Sequence, residues 1–170
     1  NRLVGGWELS GIYTAQTGSF LTPFWSGDDP VGIFYTDSST PASVTLRPDA
    51  LRNPNLASGQ QSLDQWFDAS AFAAPKAGSF GSAGRGVIKG PGVNVWSVGF
   101  AKEFQFQERA RLRWEMTASN FFNHPNWADP STDITDESVG VITSDGGVTG
   151  GSVGDRAGSR NFRMGLRLQF

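Results

Sequence analysis

The stretch Phe162-Arg163-Met164-Gly165-Leu166-Arg167-Leu168-Gln169-Phe170 decides how the rest of the chain is read. Phe162, Met164, Leu166, Leu168 and Phe170 fall on alternate positions, and Arg163, Gly165, Arg167 and Gln169 fill the places between. Side chains alternate across a strand, so this pattern makes a strand with one apolar and one polar face. On a 3.6-residue period the same residues scatter around the axis, which excludes a helix.

The same period appears upstream. Between Val95 and Phe106, Trp96, Val98, Phe100, Phe104 and Phe106 share one face, and Ser97, Gly99, Ala101, Glu103 and Gln105 lie on the other with Val95. Lys102 interrupts the apolar face near one end, where a long amine reaches an interface. Gln107 and Glu108 predict a short polar turn. From Arg111 to Phe122 the alternation resumes, with Leu112, Trp114, Met116 and Ala118 opposing Arg111, Arg113, Glu115, Thr117 and Ser119. A further strand is predicted from Gly6 to Gln16, where Trp7, Leu9, Gly11 and Tyr13 alternate with Glu8, Ser10 and Thr14, and Ile12 departs from the pattern. The chain therefore reads as a single β-rich segment over 1–170. Strands are expected near 6–16, 95–106, 111–122 and 162–170, with long connections over 17–92 and 123–161.

Composition agrees with an all-β chain. Among 170 residues, 22 Gly and 9 Pro accompany 13 Phe and 6 Trp. There is no Cys, which excludes disulfides and thiolate chemistry. The net charge of −2 comes from interleaved acids and bases, so the basic footprint of a nucleic-acid binder is missing. No apolar run approaches the roughly 18 residues of a membrane helix, but barrel strands hide their apolar residues on alternate positions.

The unequal connections sharpen the fold. Compact soluble domains seldom carry structureless loops this long, whereas outer-membrane barrels join their strands by short turns on one side and long loops on the other. With the final strand descending, every short and long connection lands on its expected side. The predicted fold is all-β and antiparallel with long loops, the C-terminal section of a transmembrane β-barrel. The alternative is a soluble β-sandwich or jelly-roll-like module. In the barrel, Arg111, Arg113, Glu115, Arg163 and Arg167 face a wet lumen, and Trp7, Tyr13, Trp96, Phe106, Phe122 and Phe170 form interfacial girdles. In the sandwich those aromatics are ordinary core residues.

Longer motifs carry a resemblance. They are N-R-L-V-G-G-W-E-L-S-G-I-Y at Asn1 to Tyr13, R-P-D-A-L-R-N-P-N-L at Arg47 to Leu56 and W-F-D-A-S-A-F-A-A-P at Trp66 to Pro75. G-S-F-G-S-A-G-R-G-V-I-K-G-P-G at Gly78 to Gly92 and S-N-F-F-N-H-P-N-W at Ser119 to Trp127 complete them. Across essentially its whole length the chain resembles the C-terminal barrel portion of TonB-dependent outer-membrane receptors of the Oar-like group. The resemblance implies a plugged barrel of about 22 strands that takes up a scarce ligand with energy passed by TonB. It implies as partners the rest of the barrel and the plug, the TonB complex, outer-membrane lipid and the barrel-assembly machinery, for which Phe170 is the terminal signal. About four strands cannot close a barrel, and the chain opens without Met, so it is expected to be part of a larger protein.

Other readings of single motifs remain. G-G-S-V-G at Gly150 to Gly154 fits G-x-S-x-G with Ser152 at its centre, but no strand precedes it and no helix follows. A soluble, esterase-like serine hydrolase would use Ser152 with the only histidine, His124, and Asp129, Asp133 or Asp136 as orienter. Otherwise His124, between Asn123 and Pro125, marks a turn. No metal site or cofactor is predicted, although Asp28, Asp29, Asp129, Asp133, Asp136 and Glu137 offer loop oxygens for Ca²⁺ without the spacing of an EF-hand. Gly78 to Gly92 lacks a phosphate-loop pattern. Trp25, Phe34, Tyr35, Trp66, Phe67 and Trp127 are aromatics in polar loops, candidates for ligand contact or for packing the loops together. A third reading is a β-rich binding or structural module.

Overall fold

A computed structural model of the 170-residue chain describes residues 5–28, 30–31, 46–105, 110–146 and 158–170. In chain order the strands are β1 (Trp7–Gln16), β2 (Phe20–Leu21), β3 (Asp49–Ala50), β4 (Phe72–Ala73), β5 (Ile88–Lys89), β6 (Val93–Gln105), β7 (Arg111–Ser119) and β8 (Asn161–Gln169), with one 3-10 turn at Ala69–Ala71. No α-helix occurs among the described residues. The chain divides into two compact units. One holds Asn1–Thr17, Gly92–Trp127 and Asp145–Phe170, and the other holds Gly18–Pro91 and Ala128–Ser144.

The first unit is a four-stranded antiparallel sheet in the order β1-β6-β7-β8. Its register fixes the faces, because residues paired across strands point the same way. Leu9 pairs with Phe100, Phe100 with Met116 and Met116 with Met164. The apolar positions of four separate segments thus join into one face, and the polar positions into the other. Gln16 pairs with Val93 and Ser119 with Asn161, so both long connections leave and return at one end of the sheet. Gln105 and Arg111 pair at the opposite end, where the short connection lies.

Two strand limits differ from the sequence pattern by more than one residue. β6 begins at Val93, two residues before its first clear alternation. β7 stops at Ser119, three residues short of the expected end at Phe122. The stop has a local cause. Asn120 turns to φ 48, a left-handed conformation that asparagine tolerates better than most residues. Its carboxamide accepts the His124 N–H at 3.0 Å and donates to the carbonyls of His124 and Gly158, each at 2.8 Å.

The second unit corrects the expectation of structureless connections. Phe67, Ala71, Phe72, Ala83 and Ile88 form a buried cluster, with Leu21, Trp66, Val87, Ile134 and Val139 packed against it. Short ladders β2–β5 and β3–β4 frame it. Gly18 permits one close approach, since a Cβ there would stand 1.7 Å from the carbonyl oxygen of Gly90. Polar side chains fasten segments far apart in sequence. Asn55 donates to the Val87 carbonyl and accepts the Lys89 N–H, both at 2.8 Å. Asp49 accepts the Ser82 N–H at 2.9 Å, while Arg47 donates to the Ala83 carbonyl at 3.2 Å.

Candidate functional site

The sheet presents two chemically opposite surfaces. On the apolar face, Leu9 is 71 % exposed, Met164 70 % and Leu166 72 %, with Trp7, Tyr13, Trp96, Phe104, Phe162 and Leu168 also exposed. Large apolar side chains on a water-soluble sheet are normally covered. Here much of one face lies open, most of all along β1 and β8. Aromatics gather toward its ends. Tyr13 stacks on Trp96 with ring centroids 4.5 Å apart, and Phe122 meets Trp96 edge-on at 5.9 Å. Arg160 lies over the Phe162 ring at 5.4 Å. Toward the other end, the Lys102 ammonium sits 4.8 Å from the Trp7 ring and 5.5 Å from that of Phe104, and donates to the Gly5 carbonyl. Lys102 is thereby 2 % exposed, its charge covered by aromatic neighbours. Phe170 follows β8 and is 98 % exposed.

Arg111, Arg113, Glu115, Arg163 and Arg167 all occupy the other face. Arg113 is its centre. It reaches over β6 to Glu8 at 2.8 Å and also holds Glu115. Ala101 beneath that span has too small a side chain to obstruct it and is buried. Arg111 pairs with Glu103 at 3.5 Å. Sequence reasoning missed Glu8 and Glu103 as partners. Both fall on polar positions of their strands, but only the register shows which arginine each one meets.

The loop aromatics divide. Phe67 is 1 % exposed and lies in the core of the second unit, so it offers no surface to a ligand. Trp66 packs against the same core and donates its indole N–H to the Lys89 carbonyl at 2.9 Å. Trp25 is partly exposed, and its indole N–H is bound to the Asp28 carbonyl at 3.1 Å. Trp127 is partly exposed and bridges Asp145. Phe34 and Tyr35 lie outside the described residues.

Asp68, Asp133 and Asp136 are spent on local structure. Arg52 grips Asp68 at 2.8 Å, and Asp68 caps the 3-10 turn by accepting the Ser70 N–H. Hydrogen bonds from Ser70 and from Arg52 hold the Asp68 carboxyl below its usual range. Burial pushes Asp133 up, yet hydrogen bonds from Ser26 and Thr135 outweigh it and leave that carboxyl lowered. Asp136 accepts the Ser138 N–H at 2.9 Å. Asp129 differs: its Oδ1 is buried without a hydrogen-bond partner, and burial raises its pKa. Among the described residues no three acidic or histidine side chains converge on a point that could hold a metal ion. Asp29 lies outside them.

Of the hydrolase set, Ser152 and the Gly150–Gly154 motif lie outside the described residues. His124 is exposed, and it is the backbone of this residue that Asn120 and Asn126 bind. Its imidazole makes no hydrogen bond among the described residues. His124 and Asp129 belong to different compact units.

A sheet with a largely apolar face and its ion pairs on the opposite face has the construction of a membrane β-barrel wall. The family comparison agrees. The family model described as outer membrane beta barrel domain matches residues 1–162, and the chain belongs to that family. It is a β-barrel protein of the bacterial outer membrane, and the soluble β-sandwich is set aside. No curated protein and no solved structure matches the chain significantly.

Proposed function

We propose that the chain contributes four wall strands and two long external connections to a TonB-dependent receptor, which takes up a scarce ligand across the outer membrane. One observation carries the wall assignment: a single register aligns the apolar positions of all four strands on one face. That face meets lipid. From Trp96 to Phe104 it runs about 27 Å along the strand, or about 20 Å across the membrane at a tilt near 40°, close to the apolar band of such barrels. Arg111, Arg113, Glu115, Arg163 and Arg167 then line the lumen, where charge is solvated. Both long connections leave from one end, which supports taking that end as the external one.

The receptor subtype rests on the motif resemblance. Three of those motifs build the second unit: Arg47, Asp49, Arg52 and Asn55 of the first bind Asp68 and Ser70 of the second or the backbone of the third. Trp25, Tyr35 and Trp127 are the aromatics of the long connections proposed for ligand contact. The plug, TonB and the assembly machinery acting on Phe170 are the partners this reading requires.

Reconstitution of the intact protein in liposomes separates a plugged receptor from an open pore. A receptor leaves the liposomes impermeable to small sugars and binds the periplasmic domain of TonB. Steady sugar permeation without TonB binding would replace this reading by a simple porin.

A further inference from the structure

The charges of the polar face are unevenly matched. Glu8, Glu103 and Glu115 are taken by Arg111 and Arg113. β8 adds Arg163 and Arg167, and neither has an acidic partner among the described residues. Arg163 stands opposite Thr117. Arg167 stands opposite Arg113, whose charge is already engaged by two glutamates. Like charges directly opposite on neighbouring strands repel, and Glu115, the diagonal neighbour of Arg163 and Arg167, is already held by Arg113.

β8 is also an edge of the sheet, bonded to β7 on one side, with all nine residues exposed. Its apolar positions share the face that meets lipid. In hydrocarbon an open row of N–H and C=O groups is not tolerated, so another strand must pair along that side. The side chains of that strand then lie about 5 Å from those of β8 on the shared face.

We propose that the strand covering the free edge of β8 carries carboxylates level with Arg163 and Arg167, and that these two ion pairs set its register. A slip of one residue would move the carboxylates toward lipid and the apolar residues toward water. Arginine suits the task, because its planar fork binds a carboxylate through two hydrogen bonds. The proposal rests on the wall assignment and is independent of TonB.

The test uses the intact protein folded in lipid, read by the temperature at which its compact electrophoretic form converts to the unfolded one. Arg163→Glu with Arg167→Glu is expected to lower the midpoint by about 5 °C, and the Lys pair to retain most of it. Added NaCl should lower the wild-type midpoint by screening the ion pairs and raise that of the Glu pair by screening its repulsion. Equal midpoints for wild type and the Glu pair would overturn the proposal and leave the wall intact. A rise in the wild-type midpoint with inorganic phosphate at constant ionic strength would also overturn it, placing a soluble anion at the arginines. Absence of any compact form would remove the wall assignment and this inference together.

Discussion

Phe162 and Phe67, or Leu166 and Leu46, are the same residue types put to opposite use in the two units. In the sheet, Phe162 and Leu166 are exposed; in the second unit, Phe67 and Leu46 are each 1 % exposed. The second unit gathers Phe67, Phe72 and Ile88 into a core, as water demands, although Phe20, Leu51 and Phe80 stay exposed. The sheet does the reverse and keeps ion pairs on its other face, which is favourable only where the apolar side meets lipid. The two units therefore answer to different solvents, and substitutions should separate them.

The largest effect is expected for Phe67→Ala. Truncating an aromatic at the centre of a small core costs about 3–5 kcal/mol. Proteolysis of the intact protein in membranes should then cut rapidly within 18–91, while the compact electrophoretic form of the barrel persists. Loss of both together would show that the units do not fold separately. Next comes Met164→Arg, in the middle of the apolar face, expected to cost about 2–4 kcal/mol if that face meets lipid. It should reduce the compact form and leave the protease resistance of 18–91 intact. A neutral outcome would mean the face is wet.

A smaller pair of effects lies within the second unit, and their signs oppose. Asp68 has a lowered pKa, so its contribution is present above the unfolded value of 3.8 and is lost as pH falls through the folded value. For a partly exposed pair this amounts to under about 1 kcal/mol. Asp68→Asn should remove that acid-side loss of protease resistance. Asp129 has a raised pKa, so its cost is absent below 3.8 and complete once pH passes the folded value. Asp129→Asn should therefore stabilise the unit at neutral pH and converge with wild type in acid. Parallel pH profiles for wild type and Asp129→Asn would show that the carboxylate is solvated.

How much was legible differs between the units for the same reason. Strands of the sheet are long enough for alternation to declare both element and face, as in Phe162 to Phe170. The second unit has strands of two residues, and its core draws Leu46, Phe67, Phe72 and Ile88 from no local period. Its fastenings join Arg52 to Asp68, Asn55 to Lys89 and Ser26 to Asp133, separations that no window of sequence reveals. The end of β7 was misjudged as well, because Phe122 falls back on the apolar phase after Asn120, where the chain in fact turns.

The sequence by itself determined that the chain is β-structured, which residues of each strand share a face, and that one face is apolar. Period two follows from backbone geometry and needs no neighbours. Only the tertiary structure decided that Glu8 meets Arg113, that Arg163 and Arg167 form no ion pair among the described residues, and that the long connections enclose a core. Those facts depend on pairing between distant segments, and pairing is set by register and packing across the whole fold.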